Sequence, residues 1–141
     1  NCYGSEAEFA KVLRRNISDY KALISKVSEC EFFKATDASD IIVAHGSVAE
    51  ASKAAVISLR EGNVEAGLIR PITLRPLDCR GMFPYLKAAE RIYIIESSFE
   101  QFARLVLYKM PEIADKTIKI FKPAEGFTPK EIEKTILERR K

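Results

Sequence analysis

The residues of this chain with types suited to chemistry gather in four short strings. His45-Gly46-Ser47 follows one apolar run, Arg70-Pro71 a second, Glu96-Ser97-Ser98 a third and Lys122-Pro123 a fourth. A histidine close to a serine suggests a base and a nucleophile. The pattern argues against it: no G-x-S-x-G elbow is present, and Ser47 stands where a helix would need its cap. His45 then reads as a hydrogen-bonded residue at a strand end. The free N–H groups at helix starts near Ser47 and Ser98 could hold an anion, helped by Arg70 and Lys122. The plainer reading is two ordinary capped helices with surface charges. Glu96 is expected to form a partly buried ion pair with Arg70, because no second acid is placed to share catalytic work with it. The candidate anion or interface rim is therefore His45, Gly46, Ser47, Arg70, Glu96, Ser98 and Lys122. No catalytic residue is assigned.

Metal chemistry finds no pattern. The chain has 1 histidine and 3 cysteines. Cys2, Cys30 and Cys79 have neither disulfide nor metal-ligand spacing, and read as reduced thiols of a cytoplasmic protein. An iron–sulfur cluster usually takes four cysteines. Neither a G-x-G-x-x-G nor a G-x-x-x-x-G-K-[ST] string occurs, so dinucleotide and P-loop phosphate binding lack support.

These strings must be positioned by alternating elements. Phe9, Leu13, Ile17, Tyr20, Ile24 and Val27 recur at helical spacing, which predicts a helix from Ser5 to Glu29. Its stripe either packs on the rest of the domain or docks on another domain or subunit. A weak strand at Glu31–Lys34 precedes three apolar strands, Ile41–Ala44, Val64–Arg70 and Arg91–Glu96, whose unbroken apolar runs predict burial on both faces. Thr117–Lys122 alternates, as an edge strand does.

Ser47 with Glu50, and Ser98 with Gln101, read as capping boxes. Ala51, Ala54 and Ala55 would let the first helix lie close to the sheet, and Gly62 would end it in a left-handed conformation. Pro71 and Pro76 predict an extended segment denied sheet pairing, followed by a short helix over Met82–Ala89. Phe99, Phe102, Ala103, Val106 and Met110 would form the buried stripe of the next helix, stopped by Pro111. Thr128, Pro129 and Glu131 give the strongest helix start, with a Phe127–Ile132 staple and a basic end at Arg139-Arg140-Lys141.

The expectation is a three-layer α/β/α sandwich on a mostly parallel five-stranded sheet, preceded by a long N-terminal helix. Residues 1–30 form the arm and residues 31–141 the domain. The 141 residues suffice for one core, and 47% hydrophobic with 30% charged residues reads as globular. The net charge of +3 comes from basic residues interleaved with acids, which supports neither nucleic acid nor membrane as a partner. No apolar run approaches the ~20 residues of a bilayer span. The chain does not begin with methionine, which reads as a piece of a longer or trimmed polypeptide.

Four strings agree in order with one family. Asp40-Ile41-Ile42-Val43-Ala44-His45-Gly46-Ser47, the string from Val64 through Gly67-Leu68-Ile69-Arg70-Pro71-Ile72-Thr73-Leu74-Arg75-Pro76, Ile94-Ile95-Glu96, and Gly126-Phe127-Thr128-Pro129-Lys130-Glu131-Ile132 resemble the C-terminal domain of 2-oxoacid:ferredoxin oxidoreductase alpha subunits. The nearest branches act on 2-oxoglutarate or branched 2-oxoacids. The resemblance covers residues 37 to 137. Departures fall on the loops. His45 stands where a tyrosine is frequent, Arg75 where an aromatic is frequent, and Ser98-Phe99-Glu100 where the family runs through Asn and Gly before the glutamine.

The resemblance implies a fold like the transketolase C-terminal domain. It implies a holoenzyme that oxidatively decarboxylates a 2-oxoacid to an acyl-CoA and passes electrons to ferredoxin. Thiamine diphosphate, magnesium, iron–sulfur clusters and CoA would be bound in other domains or subunits, in a homo- or hetero-oligomer. This domain would then serve assembly and would not be catalytic in isolation. The alternative is a stand-alone anion or small-metabolite binding module at the strand rim. A small hydrolase built on His45 and Ser47 is a third reading.

Overall fold

The computed structural model describes residues 4–140, so Asn1, Cys2, Tyr3 and Lys141 lie outside the described residues. The first element is α1 (Glu6–Val27), capped by Ser5, whose hydroxyl accepts the Glu8 N–H at 3.2 Å. Then come β1 (Cys30–Phe33), β2 (Asp40–Val43), α2 (Gly46–Glu61), β3 (Ala66–Pro71) and α3 (Cys79–Ala88). β4 (Arg91–Glu96), α4 (Gln101–Lys109), a 3-10 turn over Pro111–Lys116, β5 (Thr117–Phe121) and α5 (Pro129–Arg139) complete the chain.

The sheet order is β1-β3-β2-β4-β5. β3, β2, β4 and β5 are parallel, and β1 lies antiparallel against β3. Because side chains alternate along a strand, the central strands β3, β2 and β4 each feed two cores. Ile41, Val43, Ile69, Ile92 and Ile94 meet α3 and α4 on one face. Ile42, Ala44, Leu68, Tyr93 and Ile95 meet α2 and α5 on the other. These form the three-layer sandwich expected from the apolar runs. The β5 side chains Ile118 and Ile120 pack against the second core, as the alternation predicts.

Several local expectations are corrected. Gly62 is not left-handed (φ −83°); Asn63 takes that conformation at φ 60°. Pro71 is not denied sheet pairing: it closes β3 opposite Cys30 of β1. The helix after it starts earlier than expected, because Asp78 caps it by accepting the Gly81 N–H at 3.0 Å. Ala54 is exposed, and the tight face of α2 is built from Ala49, Ser52 and Ala55. Phe99 is 59% exposed and precedes its helix. The Thr128–Glu131 capping box forms in full.

Gly67 is required by a close approach. A Cβ there would lie 2.6 Å from the Lys34 carbonyl oxygen and 2.9 Å from Ala35 Cα. The β1–β2 connection therefore lies directly on β3.

A charged knot closes the end of the sheet opposite the rim. Asp40, 1% exposed, accepts Arg91 Nε at 2.7 Å, Arg91 Nη2 at 3.1 Å and the Tyr93 hydroxyl at 3.1 Å. Arg140, just past α5, reaches the same carboxylate at 3.0 Å. Burial pushes the Asp40 pKa up. The Arg91 hydrogen bonds, the charges of Arg91 and Arg140, and the Tyr93 hydroxyl outweigh it, so the carboxyl sits below its ordinary value. Burial, then the Asp40 charge, pushes the Tyr93 hydroxyl up to about 12.

α1 stands apart from both cores: none of its residues is buried. Leu13, Ile17, Tyr20, Leu23, Ile24 and Val27 remain between 37% and 49% exposed. Its anchorage is at the far end, where the Thr73 hydroxyl donates to the Val27 carbonyl at 2.6 Å and Ile72 N–H to Glu29 O at 2.9 Å.

Candidate functional site

β2 and β4 are neighbouring parallel strands whose following helices leave toward opposite faces. That divergence opens a crevice beyond the strand ends, the usual ligand position in such sheets. The crevice is flanked by His45-Gly46-Ser47 after β2 and by Glu96-Ser97-Ser98 after β4.

On the β2 side, α2 begins at Gly46 and His45 is its N-cap, with no side-chain capping bond. The expected Ser47–Glu50 box is thus corrected: Ser47 lies inside the first turn, where its hydroxyl is past the capping position. Glu50 turns away and accepts Arg70 Nη1 at 2.6 Å. Gly46 has φ +57°, a conformation that side chains disfavour, and a Cβ there would meet open space. The His45 ring packs edge-on against Phe102 of α4, 4.6 Å between centroids. Among the described residues, no hydrogen bond joins His45 to Ser47.

On the β4 side, the expected Ser98–Gln101 box is also corrected. α4 starts at Gln101, and its N-cap Glu100 adopts a left-handed backbone without a side-chain cap. Glu96 does the capping instead. Its carboxylate, 1% exposed, accepts the N–H of Phe102 and of Ala103, each at 2.9 Å, and the Ser98 hydroxyl. A carboxylate at a helix N-terminus meets both free donors and the positive end of the dipole. Sequence spacing missed this because the cap lies five residues before the helix.

The expected Arg70–Glu96 ion pair does not form. Arg70 sits between Glu31 and Glu50, at 3.4 and 2.6 Å. Glu31 also holds Lys53, whose hydrogen bond lowers its pKa despite some burial. Lys122 donates to Glu131 at 2.9 Å and lies over the Phe127 ring. That bond, joined by those from Thr128, holds the Glu131 carboxyl down at about 2. Of the rim set, the crevice therefore gathers His45 and Ser98, with Glu96 directly behind, while Arg70 and Lys122 belong to separate ion pairs.

The crevice has a volume of about 430 Å³, lined by His45, Leu74, Arg75, Ser98, Gln101, Phe102 and Leu105. Arg75 and the leucines were not on the candidate rim. The signal that could have found them is positional: the segment after β3 passes over the point where α2 and α4 diverge. Among the described residues, no group of three or more His, Cys, Asp or Glu side chains could hold a metal ion, and no helix is long and apolar enough to cross a membrane.

Comparison with known proteins gives two findings. Residues 38–126 match the family model of pyruvate:ferredoxin oxidoreductase core domain II. The structure is similar to a solved 2-oxoglutarate:ferredoxin oxidoreductase from Magnetococcus marinus, determined with 2-oxoglutarate, coenzyme A and succinyl-CoA bound. The TM-score is 0.80 at 16% identity, over 99% of this chain and 24% of that one. The chain thus spans about a quarter of the length of that relative. No curated protein matches it.

Proposed function

The chain belongs to the pyruvate:ferredoxin oxidoreductase core domain II family, and on that premise we propose that it is a non-catalytic assembly domain of a thiamine-diphosphate-dependent 2-oxoacid:ferredoxin oxidoreductase. The holoenzyme would convert a 2-oxoacid to an acyl-CoA and reduce ferredoxin through iron–sulfur clusters. Thiamine diphosphate, magnesium, the clusters and CoA belong, in this reading, to other domains and subunits. The residues described here do not fit magnesium diphosphate. The buried Glu96 carboxylate at the crevice is engaged by its own helix, and Glu31 and Glu50 are engaged by Arg70 and Lys53.

The observation that carries this reading is the uncovered stripe of α1. Six large apolar side chains from Leu13 to Val27 sit on a helix with no buried residue. A patch of this kind marks a protein contact. The similar solved chain is about four times longer, so the proposed occupant is the remainder of the oxidoreductase. Residues 1–30 would be the docking arm and residues 31–141 the body.

The test is assembly of the full enzyme with Leu13→Glu and Ile17→Glu in α1. Because α1 contributes nothing to either core, circular dichroism of the sandwich should be unchanged while the holoenzyme elutes as dissociated components. Intact assembly in the double variant would overturn the reading.

A further inference from the structure

We propose that the crevice between the starts of α2 and α4 binds a small organic anion with an apolar body. The position is the divergence point of two helices above adjacent parallel strands, where such sheets take ligands. Its volume of about 430 Å³ falls within the usual span for small-molecule sites, roughly 300–1,000 Å³.

The lining decides the sign of the ligand. Among the described residues, Arg75 has no ion-pair or hydrogen-bond partner in the protein, and neither does the Gln101 side chain. One cation and one amide therefore border the crevice uncommitted. No carboxylate competes for them. Glu96, behind the wall, is already met by the Ser98 hydroxyl and two backbone N–H groups. Glu100, the next acid along the loop, is paired with Lys119 at 2.8 Å and Arg104 at 3.7 Å. A cationic ligand would meet Arg75 and find no acceptor of full charge. An anion would find a guanidinium, which suits the planar geometry of a carboxylate.

The lining also decides the size. Leu74, Leu105 and Phe102 form the apolar part of the crevice. Bare phosphate would use Arg75 and leave those surfaces wet. A carboxylate bearing a short branched aliphatic group would use both, since burying its methyl groups against the leucines removes apolar surface from water. The His45 ring, braced by Phe102, completes the wall.

This inference does not depend on the assembly reading. It is tested by isothermal titration of the full polypeptide with isovalerate and, separately, with inorganic phosphate. The expected result is saturable isovalerate binding with phosphate weaker by about tenfold. Arg75→Ala should weaken isovalerate about tenfold or more. Arg75 is exposed and unpaired, so the substitution leaves the fold unchanged. Leu105→Glu, which places a like charge in the wall, should abolish binding while the thermal transition stays cooperative. Absence of saturable binding, equal affinity for phosphate, or indifference to Arg75→Ala would each overturn the proposal.

Discussion

The Glu96 carboxylate accepts the backbone N–H of Phe102 at 2.9 Å, so the last residue of β4 is the cap of the helix that follows it. The same side chain serves Ala103, and both amides are buried. Replacing Glu96 by alanine leaves two helix donors unmet in the interior. The expected loss is about 2–4 kcal/mol, read from urea denaturation. Glu96→Gln, which keeps one acceptor oxygen, should lose roughly half as much. Equal stability of Glu96→Ala and the wild-type protein would refute the capping role.

Asp40 makes stability fall in acid. Its folded pKa lies below the ordinary value, so the unfolded chain binds the proton first. The contribution is complete above the unfolded pKa of about 3.9 and disappears as pH falls through the lower, folded value. Denaturation midpoints should decline below about pH 4, less steeply in Asp40→Asn. Arg91→Ala should cost about 3 kcal/mol at neutral pH, at the low end for breaking a buried pair because Arg140 remains beside the carboxylate.

Two glycines should behave differently. A methyl group at Gly67 would press on the backbone of the β1–β2 connection, and Gly67→Ala should cost about 3 kcal/mol. Gly46→Ala meets no neighbour within 4 Å and carries only the penalty of φ +57°, about 1 kcal/mol. Thermal melts of the two variants would test this order directly.

Cys30 and Cys79 should be slow to react. Burial, with the charges of Asp78 and Glu31 adding, pushes the Cys30 thiol up to about 12, and burial also raises Cys79. In a Cys2→Ser background, native alkylation of Cys30 by iodoacetamide at pH 8 should be slower than in urea by on the order of a thousandfold. Rapid native labelling of Cys30 would contradict its burial.

What the sequence disclosed follows a physical division. Local signals worked where the determinant is local: Thr128 and Glu131 are three residues apart, and their box forms. The unbroken apolar runs placed β2 and β4, because burial on both faces leaves no polar alternation. The serines misled because a capping motif competes with whatever else approaches the helix start. At α4 that is Glu96, brought in by the end of β4. At α2 the helix begins at Gly46 with His45 as its N-cap, which puts Ser47 inside the first turn. Partners of Arg70 and Asp40 lie 20 to 100 residues away, beyond any spacing rule. The crevice walls Leu74 and Arg75 belong to no regular element, so no periodicity marks them.

Among the described residues, the hydrogen bonds that tie α1 to the sandwich lie at one end, through Val27 and Glu29 to the segment after β3. The 22 residues of α1 make a rod of about 33 Å. Such a boom converts a pivot of about 10° at its root into a tip displacement of about 6 Å. The reach of Phe9 and Leu13 is therefore adjustable by bending a few bonds near Ser28, with both cores of the sandwich left untouched.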